Sequence, residues 1–132
     1  MQLTDDERRS IASVRVERAY KTLADAKAIV AAGMWNAAAN RLYYACYYIV
    51  SALLVKNGFE ASTHSGVIRM FSLNFVKEGF VSDDMGRFYS KLFELRQTGD
   101  YADWVYLTEE DVAPLVPKVE EFMDTIKGLI KC

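Results

Sequence analysis

Arg41 is a charged residue in the middle of an otherwise apolar helical stretch, residues 38–54. Tyr44 and Tyr48 follow it at spacings of three and seven, so the three side chains share one helical face. A charge in such a helix costs free energy unless it is paired or used. The simpler interpretation is structural: the tyrosines fill core and groove, and Arg41 pairs with an acid from another helix or extends its head group into solvent. The functional interpretation makes Arg41, Tyr44 and Tyr48 candidate ligand-binding residues.

Arg96 is the second arginine in an unusual place, at the end of a later apolar helical pattern. The turn residues after it include a carboxylate and a phenol, Asp100 and Tyr101. The planar guanidinium group suits bidentate recognition of phosphate, which favours a ligand-binding role for this group. The alternative is structural, because a cation near a helix C-terminus is stabilised by the helix dipole and Asp100 could serve as its local partner.

His64 is the one histidine of the chain, so any imidazole catalysis must use it. It lies in the first turn of a predicted helix, where the positive end of the helix dipole disfavours an added proton. The hydroxyl-rich neighbours suit local hydrogen bonding and capping. We interpret His64 as structural, and Arg96 and His64 remain the candidates if the protein has catalytic residues.

The composition excludes several classes of protein. The 132 residues are 52% hydrophobic, with 16 basic and 18 acidic side chains and a net charge of −2, so no global attraction to nucleic acid is expected. Cys46 and Cys132 are not spaced as metal ligands, and we expect neither a metal site nor a cofactor. Two unclustered cysteines, no signal peptide and no apolar run of bilayer length predict a cytoplasmic protein without a membrane anchor.

The hydrophobic pattern predicts a single all-α domain over residues 1–132, an up-and-down bundle of four to five helices. The capping and stop signals place these helices from Thr4 to about Ala32, from about Trp35 to Asn57–Gly58, from Ser62 or Thr63 to Gly79, from Ser82 to Gly99, and from Thr108 onward. The second helix is apolar on most sides and should be central. Residues 100–107 are expected to form an ordered connection in which Trp104 and Tyr106 pack over the bundle end. In the alternative, these aromatics are exposed and form a surface for a partner. Pro114 and Pro117 should bend or delay the last helix.

Taken together, the motifs resemble the HEPN domain family of small prokaryotic helical proteins. The resemblance covers roughly residues 10–130 and rests on the order and spacing of its elements. These are 40–45 (NRLYYA), 51–54 (SALL), Gly58, 64–66 (HSG), Phe71 with Phe75, 92–96 (LFELR) and 99–101 (GDY). It implies an all-α bundle, usually a homodimer, and frequent pairing with a minimal nucleotidyltransferase, as in toxin–antitoxin modules. Similar helical domains fused to nucleotidyltransferases are the basis of a nucleotide-binding proposal for the family.

Many HEPN proteins are metal-independent ribonucleases with an arginine followed, after four to six residues, by a histidine. Here residues 97–103 contain no histidine, so that motif is not carried over from the family. The resemblance therefore predicts an accessory module that dimerises, binds a nucleotidyltransferase and holds nucleotide or phosphate near Arg41, Arg96 and Asp100. The alternative is a divergent ribonuclease toxin acting on RNA, which requires His64, or Tyr101 of a dimer mate, to approach Arg96. A plain homodimer with structural tyrosines is the third hypothesis.

Overall fold

A computed structural model describes residues 2–102 and 105–130 of the chain, and in these ranges all regular structure is helical. The helices run over Asp5–Ala31 (α1), Trp35–Lys56 (α2), His64–Phe71 (α3), Asp83–Tyr101 (α4), Glu109–Val112 (α5) and Leu115–Ile130 (α6), and a π-helical turn at Ser72–Val76 extends α3. The all-α up-and-down bundle is confirmed. Within the described residues no helix is long and apolar enough to span a bilayer.

The predicted start signals of α1 and α3 are confirmed. Thr4 and Glu7 form the reciprocal capping box before α1, and the hydroxyl of Thr63 accepts a hydrogen bond from the Gly66 N–H at the start of α3. A Cβ atom at position 66 would lie 2.8 Å from Thr63 Oγ1, so the glycine allows the cap to close. The cap fixes where His64 enters the bundle.

The predicted central position of α2 is also confirmed. It packs against α1, α4 and α6. Its buried side chains lie on most sides of the helix, and they include Leu42, Tyr43, Ile49 and Leu53. Burial of this much apolar surface is the main stabilisation of the fold. One face of α2 stays partly open, and that face carries Arg41, Tyr44 and Tyr48.

The prediction that Gly99 ends the fourth helix is wrong, since α4 continues to Tyr101. The glycine serves close packing instead: its carbonyl oxygen accepts a hydrogen bond from Asn36 Nδ2 (3.0 Å), and a Cβ atom there would lie 3.0 Å from Leu107 Cδ1. Asn36 also accepts a hydrogen bond from the backbone N–H of Leu107 (2.8 Å). The end of α4 is thereby tied to the start of α2.

Two other boundaries differ from expectation. The third helix changes from α-helical to π-helical hydrogen bonding at Ser72. Gly79 (φ 85°) ends the turn that follows the π-helical segment. The last helix is divided at Ala113–Pro114, which is the delayed first turn that the prolines predicted. Tyr106 was expected to pack over the bundle end but is 84% exposed. The prediction for Trp104 falls outside the described residues.

Candidate phosphate-binding site

Arg96 lies under the exposed face of α2 and is only 8% exposed. Its Nη2 donates to the hydroxyl of Tyr44 at 3.0 Å and approaches that of Tyr101 at 3.5 Å. Its Nε lies 2.9 Å from Asp100 Oδ2, although the N–H direction makes this an ion pair rather than a hydrogen bond. The guanidinium carbon also lies 5.2 Å from the ring centre of Tyr44 and 5.7 Å from that of Tyr43. A nearly buried cation is thus compensated by one carboxylate, phenol oxygens and aromatic faces.

Asn40 connects this buried cation to Arg41. Its Nδ2 donates to Asp100 Oδ2 (2.9 Å), and its Oδ1 accepts from Arg41 Nε (3.0 Å) and Nη2 (2.8 Å). The Arg41 guanidinium lies 5.0 Å from the ring centre of Tyr44, so both arginines contact the same ring. Sequence reasoning did not assign Asn40 to the site, although a polar amide beside Arg41 in an apolar helix was the available signal.

Arg41 differs from Arg96 in how its charge is balanced. Within residues 2–102 and 105–130, no carboxylate oxygen lies within 4 Å of its guanidinium nitrogens. The side chain is partly exposed and oriented by two hydrogen bonds to a neutral amide. A cation that is oriented in this way and has no ion-pair partner is a candidate to bind an anion. The structural alternative, in which Arg41 pairs with an acid of another helix, is not what these residues show.

His64 lies in the same aromatic cluster. Its Nδ1 is 2.7 Å from the Tyr43 hydroxyl, and its ring centre is 4.8 Å from that of Tyr47 and 5.7 Å from that of Tyr44. Burial, and secondarily the charge of Arg96, lower the pKa of His64 below its usual value of 6.5. The imidazole is therefore neutral at pH 7 and able to accept a proton. Tyr43 and Tyr44 each contact both His64 and Arg96, which brings the two candidate catalytic residues into one cluster.

Two tyrosines under the cluster were not assigned to the site from the sequence. Tyr43 is fully buried and stacks on Tyr89 with ring centres 6.0 Å apart and planes within 10°. Burial raises the pKa of both phenols, so both keep their protons at neutral pH. The Tyr89 hydroxyl has no hydrogen-bond partner among the described residues. Tyr43 can consequently orient the imidazole of His64 without acquiring charge itself.

The structure brings together most of the predicted ligand-binding residues, with Tyr48 at the margin. Arg41, Tyr44, Arg96 and Asp100 form the cluster, and Tyr101 lies at its edge with 69% of its surface exposed. Tyr48 lies one turn further along α2, where it contacts the ring of Tyr44 (6.0 Å between centres). Within the part of the chain that the structure describes, no group of three or more His, Cys, Asp or Glu side chains could hold a metal ion.

Comparison with known proteins gives this geometry a context. A family model described as the HEPN domain matches residues 12–129. A UPF0332 protein of Thermotoga maritima is 45% identical over 114 residues, 86% of each chain. A Methanocaldococcus jannaschii protein named Putative toxin MJ0605 is 34% identical over 116 residues, 88% of this chain and 86% of that protein. The crystal structure of TT1696 from Thermus thermophilus has a TM-score of 0.76 at 15% identity, covering 89% of this chain and 97% of TT1696. This last likeness shows the fold alone.

Proposed function

Because the chain belongs to the HEPN family, we propose that it is the helical component of a toxin–antitoxin-like module and binds a phosphate-bearing ligand at the Arg41–Arg96 cluster. The observation that carries the proposal is the guanidinium of Arg41, which is oriented by Asn40 and Tyr44 and faces no carboxylate within 4 Å among the described residues. A phosphate group in this position would gain charge-assisted hydrogen bonds from the guanidinium N–H groups that Asn40 does not engage.

Arg96 acts from below the ligand rather than as its main contact. Its hydrogen bond to Tyr44 and its ion pair with Asp100 keep it nearly buried. From there it adds positive potential beneath the phosphate and fixes the phenol ring on which Arg41 lies. Tyr101, exposed at the edge of the cluster, offers an aromatic face for a nucleobase attached to that phosphate.

The partner that we propose is a minimal nucleotidyltransferase, with the helical protein acting as a homodimer. This rests on the family resemblance, and a toxin-like role is consistent with the name of the archaeal relative. Co-expression with a minimal nucleotidyltransferase from the same organism tests it: the two proteins should elute together from a sizing column. Separate elution at micromolar concentration would contradict the partnership and leave ligand binding untouched.

The ligand-binding part is tested by thermal unfolding with adenosine monophosphate. A ligand at 100 times its dissociation constant stabilises the folded state by about 2.7 kcal/mol, which raises the melting temperature by several degrees. We expect this increase for the parent and for Arg87→Gln, an exposed arginine on α4 that pairs with Asp84. The increase should be lost in Arg41→Gln. An equal increase in all three proteins would place the ligand elsewhere.

A second candidate function, metal-independent RNA cleavage, is favoured by the position of His64. The neutral imidazole would take the proton of a ribose 2′-hydroxyl as its oxygen attacks phosphorus, and the 5′-oxygen would leave with a proton from water. Arg41 and Arg96 would stabilise the added negative charge. Incubation with total RNA in the presence of a chelator tests it. Cleavage that is lost in both His64→Ala and Arg96→Ala would establish a nuclease. Absence of cleavage by the parent would eliminate it.

A further inference from the structure

The exposed face of α2 continues beyond the cluster toward α1. Arg41, Tyr44, Tyr48 and Ser51 succeed one another at spacings of three, four and three residues, so they form one row along the helix, about 15 Å long. The second half of this row is lined by α1. Its Arg18 guanidinium carbon lies 4.5 Å from the ring centre of Tyr48. A second α1 residue, Arg15, donates from Nη1 to Ser51 Oγ at 2.9 Å.

The row repeats one structural unit, a guanidinium group on a tyrosine ring. Arg41 lies on Tyr44 at 5.0 Å and Arg18 lies on Tyr48 at 4.5 Å, with the two rings 6.0 Å apart. This spacing is comparable to the distance between neighbouring nucleotides in an extended single strand. An arginine supported by a ring keeps its outer plane free, and nucleobases stack on such planes as well as on aromatic rings. The unit therefore offers a cation for a phosphate and a flat surface for a base.

The charges of the row are not neutralised within the protein. Among the described residues, Arg15, Arg18 and Arg41 have no carboxylate within 4 Å. The acid nearest in sequence is Glu17, directly before Arg18, and two others lie near the row: Asp25, two turns after Arg18 on α1, and Glu60 in the wall of the groove. None of the three forms an ion pair among the described residues. Three unneutralised arginines are an unusual local feature in a chain whose net charge is −2.

The row also leads into a groove at its far end. Beyond Ser51, a groove of about 480 Å³ lies between α1, α2 and the segment before α3, and Arg15 and Ser51 belong to its wall. Its other lining residues are mostly apolar: Leu3, Ile11, Leu54, Val55, Phe59 and Val67. Arg15 and Ser51 therefore belong both to the row that begins at Arg41 and to the wall of this groove.

We propose that this row is a track for a single-stranded oligonucleotide, with Arg18 and Arg15 contacting the nucleotides that follow the one held at Arg41. The inference rests on the proposed phosphate site and extends it from a mononucleotide to a strand of several nucleotides. Since the units offer flat surfaces and charge but no ordered set of base-edge donors, the track selects for a flexible, unpaired strand rather than for a sequence.

A second copy of the chain is a poorer occupant of the same face. A two-fold interface through the row would bring three unneutralised arginines toward the same three of its mate, and interface cores are depleted of such charge. A polyanion instead pairs each guanidinium group with a phosphate and releases counterions.

Fluorescence anisotropy with a labelled oligonucleotide of about twelve nucleotides tests the track. A deoxyribose oligomer is used beside the ribose oligomer because it lacks the 2′-hydroxyl and cannot be cleaved through it. We expect the parent to bind one or both, and Arg18→Gln to weaken binding about tenfold with a salt slope lower by about 0.7. Arg87→Gln, the matched control, should bind like the parent. The increase in melting temperature with adenosine monophosphate should be the same in Arg18→Gln as in the parent, because the mononucleotide binds at Arg41.

The outcomes separate this inference from the proposed function. Oligonucleotide binding that is equal in Arg18→Gln, Arg15→Gln and Arg87→Gln overturns the track, as does a parent that binds adenosine monophosphate but no oligomer. A change of oligomeric state in Arg18→Gln, measured by light scattering and without loss of oligonucleotide affinity, assigns the face to a second copy and also overturns it. If the parent does not bind adenosine monophosphate, the phosphate site itself is overturned.

Discussion

The side-chain amide of Asn40 donates to the carboxylate of Asp100 at 2.9 Å, and through this hydrogen bond the central helix holds the end of α4. The same side chain accepts two hydrogen bonds from Arg41, so one amide fixes both the exposed cation and the counter-charge of the buried one. The candidate site is therefore built between α2 and α4, with α3 contributing the imidazole.

Replacement of Asn40 tests this connection. In Asn40→Ala, Arg41 loses the one oxygen that accepts both of its hydrogen bonds, and Asp100 loses a donor. We therefore expect the free energy of unfolding to fall by about 1–3 kcal/mol. Ligand affinity should fall with it, because Arg41 is no longer oriented. Urea unfolding and titration with adenosine monophosphate measure the two effects. The control is Asn74→Ala, which removes an amide that bonds only within its own helical segment. Unchanged ligand affinity in Asn40→Ala would show that Arg41 needs no orientation.

Asp100 offers a test in which stability and binding move in opposite directions. Asp100→Asn removes the counter-charge of Arg96, which is nearly buried, so we expect a loss of about 1–3 kcal/mol in the free energy of unfolding. Affinity for a phosphate ligand should rise because the local positive potential increases. The matched change Asp84→Asn breaks an exposed pair with Arg87 and should cost less than about 1 kcal/mol. Weaker phosphate binding in Asp100→Asn would mean that the carboxylate itself contacts the ligand.

His64 makes the stability of the protein dependent on pH. Its pKa in the folded state is below 6.5, so below about pH 6.5 the unfolded chain binds more protons than the folded one. The free energy of unfolding should therefore fall as pH decreases from 6.5 toward the folded pKa, and this part of the loss should be absent in His64→Gln. Proton NMR follows the single imidazole directly. A folded pKa at or above 6.5 would contradict the burial of this ring against Tyr43 and Tyr47.

Glycine-to-alanine substitution should have different effects on the free energy of unfolding at two helical glycines, Gly128 and Gly99. Gly128 in α6 has no atom within 4 Å of an added Cβ, so Gly128→Ala should stabilise the protein by about 0.5–1 kcal/mol through helix propensity. At Gly99 the added methyl would lie 3.0 Å from Leu107 Cδ1 in the packed contact between α4 and α2. We expect Gly99→Ala to be at least about 1 kcal/mol less favourable than Gly128→Ala in urea unfolding. Equal effects would show that Leu107 moves without cost.

The sequence was sufficient for the fold because its signals are local. Capping residues, glycines and a helix apolar on most sides predicted the order of the helices and the central position of α2. The HEPN resemblance, which rests on the order and spacing of the motifs, is confirmed by the family match. Gly99 was misread since a glycine near a helix end usually marks a stop, whereas here its missing side chain makes room for Leu107. That contact joins residues from separate elements, which periodicity does not report.

Only part of the candidate site could be predicted, because some of its contacts join residues that are far apart in the sequence. Arg41 and Arg96 were recognisable because a charge in an apolar helix is costly wherever it lies. The approach of His64 to the arginine cluster was left open, because it depends on how α3 is placed against α2 and on a hydrogen bond to Tyr43, 21 residues away. Asn40 was passed over since its role depends on Asp100, 60 residues further along the chain.

The most direct measurement of phosphate binding is isothermal titration of adenosine monophosphate into the parent, Arg41→Gln and Arg87→Gln. Saturable binding by the parent and Arg87→Gln, with at least a tenfold weaker association for Arg41→Gln, is the predicted result. The tenfold change corresponds to about 1.4 kcal/mol, within the range of a hydrogen bond to a charged group. Equal binding by all three proteins, or no binding by the parent, would contradict a phosphate site at Arg41.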